Sequence, residues 1–196
     1  MPFLYGSLGL LGLFLAIILL RAAFFKPKAQ PAVSDEVVEF DRQAAIDALQ
    51  ALVRCKTVSN VDPSLEDNAE FEKLIAALPG LYPRVFDVCS VTELPDRALL
   101  FRWPGKGPGD PTVLMAHYDV VPVDEAQWEK PPFAGIIEDG ILWGRGTLDT
   151  KVTMNGALSA ANHLAKQGFQ PAQDIYFAFS GGEEGNGKGA ATIAAY

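Results

Sequence analysis

From Pro2 to Leu20 the chain runs for 19 residues without a charged side chain, and Leu, Ile, Phe, Ala and Gly dominate the stretch. As a helix rising about 1.5 Å per residue it spans about 28 Å. That nearly matches a bilayer hydrocarbon core of about 30 Å. A cleaved signal peptide is the rival reading; it calls for a basic segment ahead of a shorter apolar core, and neither is present, although Ala22 and Ala23 keep a cleavage site open. Residues 1–25 are therefore read as a transmembrane anchor or signal anchor. Arg21, Lys26 and Lys28 follow the apolar run, and the positive-inside rule would keep the domain after them in the cytoplasm.

Beyond the anchor, residues 26–38 carry prolines and mixed charge with little to bury, which reads as a linker. Residues 39–196 are expected to form a domain, and the 49% hydrophobic content excludes disorder for most of the chain. The balance of 24 acidic against 16 basic residues, a formal charge of -8, offers no general attraction to phosphate backbones and excludes nucleic acid as the expected partner. Cys55 and Cys89 are too few for a disulfide framework and lack thiolate metal-site spacing, so they are core residues or one bridge.

Asp41 can cap a helix whose apolar positions Ala44, Ala45, Leu49, Leu52 and Val53 recur at helical spacing. A second helix is predicted over Ala69–Leu78, stopped by Pro79 and Gly80. Short apolar runs at Val85–Val88, Ala98–Trp103 and Thr112–Ala116, separated by Pro/Gly clusters, read as strands. Ile136–Trp143 reads as a hairpin around Asp139-Gly140. A helix is predicted over Lys151–Lys166 with Gly168 as its stop, then a strand at Asp174–Ser180 and a helix from Lys188 to Tyr196. Strands alternating with helices predict a three-layer α/β domain, and the ending at ATIAAY, without a closing element, reads as a truncated chain.

Three clusters able to carry chemistry follow predicted strands or turns, where α/β proteins place ligand sites. In MAHYDVV, His117 and Asp119 stand two apart; Asp119 could accept the second ring N–H of a metal-binding His117, or reach the site itself. In GRGTLDTK, Asp149 sits between a Gly-rich turn and a helix, where a carboxylate is ordinarily a cap but could also bridge two cations. In SGGEEGNGKGA, Glu183 and Glu184 are adjacent carboxylates that repel unless cations or shared protons compensate; otherwise they are a solvated pair. Together these ligand types suit zinc, manganese or cobalt. In two-metal hydrolases the ions polarise a carbonyl and lower the pKa of a water, and a free carboxylate then takes the proton.

The stretches MAHYDVVPV, PPFAGIIEDGILWGRGTLDTK after Trp128, and FSGGEEGNGKGA resemble, in that order, the dinuclear zinc metallopeptidase family of carboxypeptidase S and the aminoacylases. The branch most resembled is that of carboxypeptidase S and the N-fatty-acyl-amino-acid synthase/hydrolase, and the likeness runs from about Asp41 to Tyr196. The resemblance implies a zinc-peptidase-like catalytic domain holding two divalent metal ions, zinc first among them. His117 would ligate one ion, Asp149 bridge both, Glu184 ligate the other, Glu183 act as general base, and Asp119 support His117. It implies a peptide or N-acyl amino acid substrate and a lid domain, absent here, that relatives often use for dimerisation. Relatives facing outside the cytoplasm oppose the charge-based orientation, so the side of the membrane stays open.

Thr150 stands where relatives commonly carry a second Asp, and Gly182 where they often have Asp. The family's remaining ligands, an acidic residue and a late His, would lie beyond Tyr196, and His163, within a predicted helix, reads as a surface residue. This stretch alone is thus expected to lack a complete metal shell and to be inactive. Two other readings compete. One is a membrane-tethered fragment or pseudoenzyme that binds a partner without turnover. The other is an NTPase, because Gly182–Lys188 fits G-x-x-x-x-G-K, although Gly189 stands where the loop needs Ser or Thr and two glutamates would repel phosphate.

Overall fold

The computed structural model describes residues 2–27 and 37–196, so most of the segment read as a linker, 28–36, lies outside the described residues. The chain divides into two units, Met1–Val38 and Glu39–Tyr196. In the first, helix α1 (Pro2–Ala23) exposes Leu10, Phe14 and Leu19 among its large apolar side chains. Its Tyr5–Ala23 portion is long and apolar enough to cross a membrane, a test that a signal sequence also meets.

The second unit opens with α2 (Arg42–Val53), where the Asp41 carboxylate accepts the Ala44 N–H at 2.9 Å and satisfies one of the free donors of the first turn. Ala48, Leu52 and Val53 bury its inner stripe. Helix α3 (Asn68–Leu81), capped by Asp67, runs on through Pro79 and Gly80 instead of stopping at Leu78. Pro79 removes one backbone donor close to the helix end, and the full burial of Leu78 and Tyr82 on either side holds the last turn in place. The expected strand at Val85–Val88 is instead helix α4 (Pro83–Val88). Pro83 occupies its first turn, where a missing N–H costs nothing, and Asn162 accepts the Arg84 N–H at 2.8 Å.

Strands follow: β1 (Ser90–Leu94), which the apolar-run reading missed, β2 (Ala98–Trp103) and β3 (Thr112–His117). The hairpin β4 (Ile136–Glu138) and β5 (Ile141–Trp143) turns at Asp139 and Gly140, both with positive φ, as a two-residue turn of that type requires. Helix α5 (Lys151–Lys166) ends before Gly168 at φ 75°, and β6 (Ile175–Ser180) and α6 (Lys188–Ala195) complete the unit.

The fold is mixed α/β, with sheet order β1-β2-β6-β3, antiparallel except for the parallel β6–β3 pair. Alternation along the strands sends Leu99, Phe101, Trp103, Phe177 and Phe179 into a core shared with Leu52, Leu74, Leu78, Met154 and Leu158 of the helices. The opposite face, carrying Leu100, Val113, Met115, Tyr176 and Ala178, lines a groove of about 830 Å³ beside Ile193 of α6. Cys55 is buried, Cys89 half-buried, and both are free thiols. Burial pushes the Cys89 thiol up to about 12. Lys151, with no exposed surface, donates to the Leu52 and Cys55 carbonyls at 3.0 and 2.6 Å and so ties the start of α5 to the end of α2.

Candidate metal centre

Parallel pairing of β3 with β6 brings their C-terminal ends to one edge, with His117 in register with Ser180. The residues immediately after each strand, Tyr118-Asp119 and Gly181 to Glu184, therefore emerge side by side. Backbone pairing fixes the first segment: Tyr118 N–H donates to Ser180, Val120 N–H to Thr57, and Ser59 N–H to Val120. The Thr57 hydroxyl donates to the Tyr118 carbonyl at 2.5 Å.

His117 Nδ1 lies 3.1 Å from the Asp119 carbonyl oxygen and 3.4 Å from its carboxylate Oδ1. With Nδ1 turned to that carbonyl, Nε2 is the nitrogen that faces the cluster, 3.0 Å from Asp149 Oδ1. Glu183 Oε2 is 3.8 Å from the same nitrogen. One ligand atom each of His117, Asp149 and Glu184 lies within 4.8 Å of the others.

Asp119 is fully buried, and its carboxylate does more than face the imidazole. One oxygen accepts the Glu183 N–H at 3.2 Å and the other the Glu184 N–H at 3.0 Å. Burial pushes this carboxyl up, but hydrogen bonds from His117, Ser59 and the two backbone amides outweigh it and hold the group below its ordinary range. Asp119 thus docks the paired-glutamate loop onto the histidine segment, a function that the two-residue spacing from His117 gave no sign of.

Asp149 is not a helix cap, because the residue in that position is Thr150, whose hydroxyl turns to Thr153 at 2.6 Å. Its carboxylate is 77% exposed and meets His117, with the second oxygen open. The Asp149–Thr150 peptide bond is cis. At Gly182, where relatives were expected to carry Asp, a Cβ would meet nothing nearer than Asn186 Oδ1 at 3.7 Å, so the glycine is not demanded by space. His163 lies on α5 against Gln167 at 3.1 Å, outside the cluster.

The charges in this corner favour a cation. The hydrogen bond with Asp119, above all, and the nearby Glu183 charge hold the His117 pKa up to about 9 against burial. Burial, reinforced by Asp149, Glu183 and Asp119, pushes the Glu184 carboxyl up against the pull of His117. One imidazole nitrogen and two carboxylate oxygens are a donor set that zinc accepts. In a tetrahedral shell with bonds of about 2.0–2.1 Å, ligand atoms stand about 3.3 Å apart, close to the His117–Asp149 separation. His117, Asp149 and Glu184 thus present one imidazole nitrogen and two carboxylates that could hold divalent metal between them.

The phosphate-loop alternative fails on backbone accounting. A phosphate cradle needs free amides. In Gly182–Lys188 the N–H groups of Glu183 and Glu184 go to Asp119, those of Asn186 and Gly187 to the Gly182 carbonyl, and that of Lys188 to Asn186 Oδ1.

Comparison with known proteins follows the same geometry. Residues 113–196 match the model described as Peptidase family M20/M25/M40. The chain is 32% identical over 197 residues to a probable carboxypeptidase S-like 2 of Dictyostelium discoideum, covering 95% of this chain and 38% of that protein. It is 36% identical over 159 residues to the N-fatty-acyl-amino acid synthase/hydrolase of Homo sapiens, covering 79% and 31%. The crystal structure of human carnosine dipeptidase 1 superposes with a TM-score of 0.60 at 20% identity, covering 72% of this chain and 32% of that one, which shows a shared fold. The chain spans about a third of the length of the curated relatives it matches.

Proposed function

We propose, from the peptidase M20 domain that this chain carries, that its site hydrolyses an amide bond beside a free amino-acid carboxylate, in a peptide or an N-acyl amino acid. The observation that carries the reading is the convergence of His117, Asp149 and Glu184, from three separate stretches of chain, within 4.8 Å.

In this reading His117 would ligate one divalent ion, Glu184 a second and Asp149 both, with zinc the metal these donors favour. Such a pair supplies Lewis acidity toward the scissile carbonyl and a water whose pKa is brought toward about 7. Glu183 is the general base. Its carboxylate is 56% exposed, lies 3.8 Å from the His117 ring and, among the described residues, accepts no hydrogen bond, so it can take a proton from the attacking water and return it to the leaving amine. Asp119 holds the backbone of both glutamates and sets the His117 ring through Nδ1. Tyr118, between His117 and Asp119 in sequence, is fully buried.

The same reading makes α1 a single-pass anchor and residues 39–196 the N-terminal part of a three-layer catalytic domain, with a lid domain through which copies pair. The apolar groove that ends at His117, Asp149 and Glu183 supports the hydrolase reading by leaving a path to the cluster.

The test is hydrolysis by the full-length protein of a panel of peptides and N-fatty-acyl amino acids, followed by amino-acid release. Chelation is expected to abolish release and added zinc to restore it. Undiminished hydrolysis after metal removal, or no release from either substrate class, would overturn the reading.

A further inference from the structure

The turn between β1 and β2 holds two consecutive non-glycine residues in the left-handed region, Asp96 at φ 58° and Arg97 at φ 55°. Ala98 N–H donates to the Pro95 carbonyl at 3.3 Å and closes a two-residue turn that needs positive φ at both positions, a conformation that side chains resist unless their surroundings support it. They do so through Arg97, whose Nη1 donates to Glu66 Oε2 at 2.6 Å and whose Nη2 donates to Asn68 Oδ1 at 2.5 Å. Its guanidinium lies 3.6 Å from the centroid of the buried Phe71 ring. The Glu66 side chain is 7% exposed, and its other oxygen accepts the Asn60 N–H at 2.7 Å. On the far side of the turn, Thr192 of α6 donates to Asp96 Oδ2 at 3.0 Å.

Held this way, the Arg97 carbonyl accepts two hydrogen bonds, from Gly181 N–H and from the Tyr118 hydroxyl, each at 2.9 Å. Gly181 precedes the Glu183-Glu184 pair by two residues, and Tyr118 separates His117 from Asp119. The two donors are also locked to each other, since a Cβ on Gly181 would fall 2.5 Å from the Tyr118 ring. One carbonyl therefore joins the histidine segment to the glutamate loop, beside the β3–β6 pairing and the Asp119 clasp.

We infer that Arg97 is a positioning residue: its side chain fixes the β1–β2 turn so that its carbonyl spaces the ligand-bearing segments correctly for metal. The inference rests on the metal-centre reading above. Arg97 touches none of the proposed ligands, so its effect must travel through the turn.

The experiment compares full-length wild type with Arg97→Met, Arg97→Lys and Tyr118→Phe, measuring zinc affinity by competition with a chelator alongside the urea midpoint. Met keeps the stem over Phe71 and loses both donors; Lys keeps the charge opposite Glu66 and loses the fork. Metal binding is expected to weaken by about 10- to 100-fold in Arg97→Met and by less in Arg97→Lys. Tyr118→Phe is expected to weaken it too, and to add little to Arg97→Met, because both act through one carbonyl. Zinc affinity within about threefold of wild type in a folded Arg97→Met, with only the urea midpoint lowered, would overturn the inference and leave the metal centre standing. Should Arg97→Met not fold, Arg97→Lys and Tyr118→Phe decide on the same readout. A wild type that binds no zinc would overturn the metal centre and this inference together.

Discussion

Glu183→Gln in the full-length protein is expected to lower kcat by about 10²- to 10⁴-fold while leaving metal content at the wild-type level. Gln matches Glu in shape and keeps the backbone N–H that Asp119 accepts at 3.2 Å, so the loop has no reason to move. The side chain is more than half exposed and its contact with the His117 ring is a loose one at 3.8 Å, so the exchange strands no buried donor among the described residues. What disappears is the ability to take up and return a proton. Rate measurements paired with elemental analysis of bound metal check both halves. Activity above about a hundredth of wild type would be too much for an enzyme without its general base, and loss of metal would make Glu183 a ligand instead.

Asp119→Asn has a second large expected effect, of a different kind. The carboxylate is completely buried and uses both oxygens to receive the amides of Glu183 and Glu184. An amide side chain offers one oxygen and must press an NH₂ group against the other N–H, which leaves a buried donor without an acceptor at a cost of about 1–3 kcal/mol. The charge that holds up the His117 ring is lost at the same time. Metal affinity is expected to fall by about 10- to 100-fold, as when a group supporting a ligand is removed, and the urea midpoint to fall with it. Wild-type metal affinity in this variant would show that the glutamate loop keeps its place without Asp119.

Local chemistry made several elements legible in the sequence. Asp41 three residues before the apolar stripe of α2, the Asp139-Gly140 pair between β4 and β5, and the Ala/Leu-rich α5 before Gly168 each carry their own signal, and the structure places them as expected. Val85–Val88 was ambiguous because a short apolar run fits a buried strand or a helix turn, and the deciding contact, Asn162 on Arg84, comes from far along the chain. Ser90–Leu94 was missed for the converse reason: as an edge strand with exposed and half-buried residues, it has little apolar content to announce it.

At the site, His117, Asp149 and Glu184 could be singled out because each follows a strand or a glycine-rich turn, and the fold brings them together. Asp119 could be singled out as support for His117, but the longer-range contacts of the supporting residues could not. Asp119 as a clasp for two amides, Lys151 on the end of α2, and Arg97 acting through its carbonyl depend on partners tens of residues away. No spacing rule encodes such contacts; the left-handed Asp96-Arg97 pair left no mark in the sequence beyond Pro95 before it.

In the proposed site these three stretches of chain would enclose a pair of divalent cations. Anomalous diffraction at the zinc edge from crystals of the full-length protein tests it directly. Two peaks are expected, both touching the Asp149 carboxylate, one bound by His117 and the other by Glu184. Diffraction from zinc-soaked crystals with no peak at this cluster, or with the metal held elsewhere while His117, Asp149 and Glu184 contact only one another, would contradict it.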